Sequence, residues 1–454
     1  MSVFLTVFLY SVTSSLFFPV FQSLVFFKSC ISITTSTDPN FCYDREASAK
    51  DESIHTLSNL VLLVSSTGLC VTAFFTSRYV GRISDIKSRR LALLIPFFGL
   101  ILSDLSIIIQ VIIPQIPPYF FILSEIIFGI FGGYMSITSC AFAIISSYHK
   151  DPTERAKVIA RMEGTVSFGS MVGFLISSQL DRTDYLGMCG IILVAHIGAF
   201  ISALFVQDEP RTPATISQNS AKKGSIFTST TVFSGKSADT KKSLYILYFA
   251  FSISYFAFIG STRILFFYLK HKFYWGNEKY GYLKGLNQGM TTVLAIFLFP
   301  FLKSRGFKDT TLAMFGLITR SIGRAWYAVV WNDAAVYSVV FFEMFSKFPA
   351  TSLRSLISSN VAENERGAAF SLVAVIEAFC NLSASIVFHG AFPLTISFCP
   401  ELSFIIMPII IIPAIIFIGL NRKMLETPQK EQLAEIREAA QKSETERLTE
   451  NVVA

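Results

Sequence analysis

The chain has 454 residues, of which 52% are hydrophobic and only 15% charged, with 46 phenylalanines, a mean hydropathy of +0.54 and a net charge of +7. A soluble globular domain of this size needs far less apolar surface, so composition excludes that class and points to an all-α protein crossing a membrane many times. The positive charge lies in short connections, where it sets topology; it does not signal nucleic-acid binding.

Apolar runs long enough to cross a hydrocarbon core of ~30 Å are expected at roughly 3–27, 57–80, 91–113, 118–147, 157–180 and 185–206. A polar, Ser/Thr/Lys-rich stretch at 207–242 reads as a linker. Six further runs follow at roughly 243–269, 281–302, 310–331, 335–359, 367–390 and 398–420, and a charged tail occupies 421–454. The plan is two bundles of six helices, 1–206 and 243–420. The first run lacks a basic start and a small-residue cleavage site, so it is expected to be a span and not a removed signal.

Lysine and arginine resist translocation. The connections "GRISDIKSRR", "HKDPTERAK", "KSRGFKD" and "AENERG", with the linker and tail, are basic or Lys/Arg-bearing and are assigned to the cytosol. The first loop then faces the lumen or exterior, where a Cys30–Cys42 bridge is plausible. The sequon at Asn381 lies inside the eleventh run and is expected to stay unglycosylated. The tail, Leu425 to Leu448, either binds a protein partner or lies solvated.

"TERAKVIARMEG" opens the fifth run and "NERGAAFSLVAVIEA" the eleventh; each places Glu-Arg-small ahead of a buried glutamate, Glu163 or Glu377. The halves therefore read as parallel repeats. An ionisable side chain in a membrane span costs about 2.5 to 3.5 kcal/mol on insertion scales, so each is a functional candidate facing the bundle interior. At 1.5 Å per residue, Glu163 and Arg354 lie roughly 10 Å deep from the cytosolic edge and Glu377 about 15 Å. Glu125 and Arg263, roughly 10 Å below the other edge, are candidates for a closing charge pair. Glu163 has a static alternative, an ion pair with Arg161, Arg354 or Lys157, and Arg354 could merely snorkel. Asp104, Arg320 and Arg324 receive no role, except that Glu343 would neutralise either arginine. Gly281, Gly285 and Gly289 on the eighth run, and Gly169 and Gly173 on the fifth, form ridges expected to let these two helices approach each other.

"GRISDIKSRR" resembles the loop between helices two and three of the major facilitator superfamily, with Gly81, Asp85, Arg89 and Arg90 matching and Ile86 and Ser88 departing. The resemblance implies that fold, twelve helices in two six-helix bundles, and a cytosolic gate in which Asp85 meets the start of the eleventh helix near Glu365, Arg366 and Gly367. "PATSLRSLISSNVAENERGAAFSLVAVIEAFCNLSASIVF" is similar to helices ten and eleven of the proton-coupled folate transporter family, solute carrier family 46, through Arg354, Glu365, Gly367 and Phe370. "ARMEGTVSFGSMVG" looks like its fifth helix, with the coupling glutamate at Glu163. Phe258 and Tyr274 stand where folate-transporting members carry histidine and cysteine, and Glu377 resembles the lysosomal-type members.

The expectation is a secondary active transporter of an organic, anionic solute coupled to protons, embedded in the plasma or lysosomal membrane. Arg354, Glu125 and Arg263 are its candidate solute contacts and Glu163 and Glu377 its candidate proton carriers. No P-loop, metal cluster or nucleophile constellation is recognised, so neither a cofactor nor an enzymatic activity is implied. The alternative is a non-transporting receptor or scaffold that keeps the fold.

Overall fold

The computed structural model describes residues 2–34, 41–148, 152–179, 184–207, 233, 236–361 and 366–426, and a few side chains inside those ranges, Asp85, Ile86, Lys157 and Arg366 among them, lie outside the description. Most of the linker and the tail lie outside it too. The described residues fold into helices, with no β-strand among them.

Nine of these helices are long and apolar enough to cross a membrane by length and composition. They cover nine of the twelve expected spans. The fifth (Pro152–Ser177) and ninth (Asp309–Val329) fall short of that measure because Arg161 and Glu163, or Arg320 and Arg324, interrupt their apolar runs. The tenth is not the continuous helix expected: it breaks into Asp333–Glu343 and Phe348–Ser359. Pro349, in the first turn of the second piece, has no N–H to give to the carbonyl four residues back and its ring crowds that carbonyl, so a single helix cannot pass through it. The fourth span is likewise jointed, between Phe121–Ile130 and Gly133–Tyr148, where Gly132 and Gly133 take φ of 104° and 61° that only glycine adopts freely.

Two ends of the bundle can be told apart. One bears the basic connections, here the basic face; the other bears the first loop, where Cys30 and Cys42 form a disulfide, here the disulfide face. On the disulfide face a short helix, Arg45–Lys50, leads into the second span, Glu52–Ile86, whose first amides, Ser53 and Ile54, are capped by the Asp51 carboxylate. The first span (Ser2–Thr34) and the seventh (Ala238–Phe273) overrun their expected limits on the same face. There the halves share one buried core, in which Leu24, Val25 and Ile54 meet Phe266, Phe267 and Trp275. At the basic face the core divides in two, one built around Leu93, Ile137 and Met162 and the other around Leu247, Leu353 and Ile411. The bundle is sealed at the disulfide face and parted at the basic face.

Outward, the helices present side chains such as Phe297, Leu394 and Leu420, which are 69%, 76% and 79% exposed. Only lipid covers a surface of that kind, and the protein is a multi-pass membrane protein.

The glycine ridges pack differently from the expectation. Gly281, Gly285 and Gly289 of the eighth span (Asn277–Val293) do lie on the fifth, where a Cβ at Gly281 would sit 2.7 Å from the Phe174 carbonyl oxygen. Gly169 and Gly173 instead face the first span, against the carbonyls of Phe8 and Val12. Periodicity reveals that a small ridge exists, but not which neighbour fills it.

Candidate functional site

Between the halves lie two chambers. One, of about 390 Å³, is lined by aromatic side chains of the first span and by Glu125, Asp104, His196, Arg263 and His389. The second, of about 530 Å³, lies between spans four, five, seven, eight, nine and ten and holds Glu163 and Arg354. Tyr255, Ile259 and Thr262 of the seventh span line both, so this helix forms the partition.

The second chamber is strongly cationic. Lys284, Arg320, Arg324, Lys347 and Arg354 line it against the carboxylates of Glu163 and Glu343. Two of these cations are matched. Arg324 is ion-paired with Glu343, both buried, and Asn287 Nδ2 donates to the other carboxylate oxygen at 2.8 Å. Arg354 is ion-paired with Glu377, so two residues expected to act separately are joined. Arg320 donates to the hydroxyl and carbonyl of Ser254, at 2.7 and 3.2 Å, and to the carbonyl of Ser346, which the break in the tenth span turns inward. Its guanidinium lies 5.1 Å from the Phe258 ring. Lys347, inside the same break, donates to Ser167 Oγ at 2.9 Å and Thr292 Oγ1 at 2.8 Å, touching the fifth and eighth spans. Hydroxyls and carbonyls satisfy hydrogen bonds but leave the charge in place, so Arg320 and Lys284 share Glu343, already paired with Arg324, and Lys347 faces Glu163.

Glu163 stands one helical turn from Ser167 on the fifth span. It is exposed to the chamber and forms no ion pair with Arg161 or Arg354 among the described residues. The static pairing to those two partners is therefore not what the structure contains.

Glu125 and Arg263 line the first chamber together, but no ion pair joins them among the described residues, so the expected closing pair is not formed. Glu125 is 9% exposed and has no hydrogen-bond partner among those residues. Asp104, to which the sequence assigned no role, accepts from His196 Nδ1 at 2.5 Å, both side chains buried. Asn381 is 6% exposed in the eleventh helix and donates to the Tyr255 hydroxyl at 3.2 Å, out of reach of any glycosylating enzyme.

The expected gate is only partly in view. Glu365 and the side chains of Asp85 and Arg366 lie outside the described residues. A Cβ on Gly81 would meet nothing within 4 Å, so no helix approaches it closely, which agrees with a parted basic face. Arg90 Nη1 donates to the carbonyl of Leu204 at 3.4 Å, near the end of the sixth span, and Arg89 opens the third (Arg89–Ile112). Sequence reasoning passed over Lys284 and Lys347, and the isolated lysine in "GYLKGLNQGM" was the available signal for the first.

Residues 3–386 match the family model of the Major Facilitator Superfamily. The chain is 25% identical over 391 residues to the lysosomal proton-coupled steroid conjugate and bile acid symporter SLC46A3 of Bos taurus, covering 84% of this chain and 82% of that one. It is 23% identical to the proton-coupled folate transporter of Rattus norvegicus, covering 86% and 85%. The crystal structure of the human organic anion transporter MFSD10 (TETRAN) superposes with a TM-score of 0.63 at 15% identity, over 92% of this chain and 98% of that one. At that identity the likeness concerns the fold alone.

Proposed function

Since the chain belongs to the Major Facilitator Superfamily, a family of transporters, we propose that it is a secondary active transporter that moves an organic anion together with protons by rocking residues 1–206 against 243–420. The observation that carries this reading is the second chamber, open between the halves, whose lining sets the cations Lys284, Arg320, Arg324, Lys347 and Arg354 against only two carboxylates, Glu163 and Glu343. A chamber of that charge draws anions and rejects cations.

The basic face is the cytosolic one, on the evidence of lysine and arginine in its connections, and the disulfide face borders the oxidising compartment. An incoming anionic group competes with Glu377 for Arg354. The guanidinium offers two parallel N–H donors to a carboxylate or sulfate, a fork that a lysine ammonium cannot match. Glu163, at the chamber wall and in no ion pair among the described residues, takes the proton that enters with the solute.

Arg354→Lys keeps the charge but loses the fork. It is expected to weaken apparent affinity about tenfold, the equivalent of one charge-assisted hydrogen bond, with maximal rate less affected. Unchanged affinity in concentration-dependent uptake would remove the forked contact from the mechanism.

The function is tested with vesicles whose disulfide face points outward, offered a steroid conjugate, a bile acid and a folate, the classes in the names of the relatives. Acid outside should drive accumulation of at least one of them, and a protonophore should abolish it. Absence of pH-driven flux for all anions offered would favour the scaffold reading instead.

A further inference from the structure

The seal at the disulfide face is made of imidazoles as well as apolar side chains. His55, in the first turn of the second span, is 0% exposed; its Nε2–H donates to the Ala49 carbonyl oxygen at 2.9 Å, and its Nδ1 has no partner. His271, at the end of the seventh span and so in the other half, donates Nδ1–H to the same oxygen at 3.3 Å. The two rings stand 5.4 Å apart, edge to face. One turn deeper, Asn59 accepts from His389 Nδ1 of the eleventh span at 2.9 Å and gives its own amide to the His55 carbonyl at 2.9 Å. Three histidines thus close one seam between the halves.

Each of these bonds needs only one N–H per ring. A second proton on His55 would place an N–H with no acceptor among Phe26, Phe267 and Phe392, and a cation beside His271 and Lys270. Among the described residues no carboxylate stands ready to answer it. Glu46 is held by Lys50, Asp51 by the amides of Ser53 and Ile54, Glu278 by Arg45 and Glu401 by Lys272, while Glu52 faces solvent. On the chamber side the charged neighbour of His389 is another cation, Arg263.

We propose that His55 and His271 form a proton-operated gate: neutral, they pin the two halves together through the Ala49 carbonyl, and protonated, they repel each other and release the disulfide face to solution. The proposal rests on the alternating-access reading above. In the released form both rings meet water, which accommodates the imidazolium charge that the sealed seam does not, so acid stabilises the released form and neutral pH the sealed one. Glu163 then carries the coupled proton, while the histidines decide which face admits it.

The test needs no solute. Leu186 and Trp331, 48% and 68% exposed on the disulfide face of opposite halves, are changed to cysteine and spin-labelled, with the five free cysteines replaced by serine and the Cys30–Cys42 bridge kept. In liposomes, a longer inter-label distance should grow in as pH falls from 7.5 to 5. In His55→Gln/His271→Gln, whose amides can still donate to Ala49, the long-distance fraction at pH 5 should be about tenfold smaller. His271→Gln alone, at a half-buried position, should blunt the response and serves if the double variant fails to fold. Acid-driven lengthening that persists unchanged in the variants overturns the gate and leaves transport standing. A wild type that never lengthens, at any pH, overturns alternating access and the gate with it.

Discussion

Glu163→Gln should abolish accumulation driven by a pH gradient while leaving folding and solute exchange at equal pH intact. Glutamine imitates the protonated carboxyl permanently, so the chamber can still bind and release solute but cannot load and unload the proton. A carboxylate in a fixed ion pair would behave differently, because neutralising it strands a buried cation and damages the fold. Among the described residues Glu163 is in no ion pair; Lys347, whose charge faces it, is anchored by Ser167 and Thr292 and keeps those contacts without it. Uptake and counterflow measured on the same vesicles, at matched protein level, separate the two. Undiminished accumulation by the variant would move coupling elsewhere, with Glu377 as the next candidate.

The opposite behaviour is expected at Arg324 and Glu343. Both side chains are nearly inaccessible, 4% and 3% exposed, and each neutralises the other. Removing one member of such a pair leaves an uncompensated charge, at about 3 to 5 kcal/mol, so Arg324→Met and Glu343→Gln should each lower thermal stability sharply in detergent. The double variant should recover most of the loss, since neither charge then remains. If the single variants are as stable as wild type, the pair is not what holds the ninth and tenth spans together. Transport by the double variant then reports whether Arg324 contributes only structure.

The twelve-span plan, the disulfide and the matching of Glu343 to an arginine were legible because each follows from local rules: run length, compartment and the impossibility of burying a lone charge. What the sequence hid depends on which helix lies beside which. Arg354 and Glu377 sit 23 residues apart on different spans, and nothing in either helix announces that they touch. Glu125 and Arg263 have the right depth to pair, yet depth leaves azimuth open, and they face one chamber without meeting. Pro349 was the available signal for a break in the tenth span, which the sequence reading took as one unbroken run. Its consequence, a lysine and an inward-facing carbonyl at mid-membrane, is three-dimensional.

The contact of the eighth span on the fifth changes in kind along its length. At Gly281 the neighbours are the Ser177 hydroxyl and backbone atoms of Phe174 and Ser178, of which the backbone cannot step aside; at Gly285 they are mainly the Leu175 side chain, and at Gly289 the Met171 thioether, which can. The fifth span is in turn locked to the first through Gly169 and Gly173. The pair of helices therefore works like scissors whose rivet sits near the disulfide face, with compliance growing toward the basic face. In the transport cycle proposed above, opening the disulfide face would mean drawing that rivet at Gly281, well away from the cations of the second chamber, so the speed of the change and the choice of solute would be set by different residues.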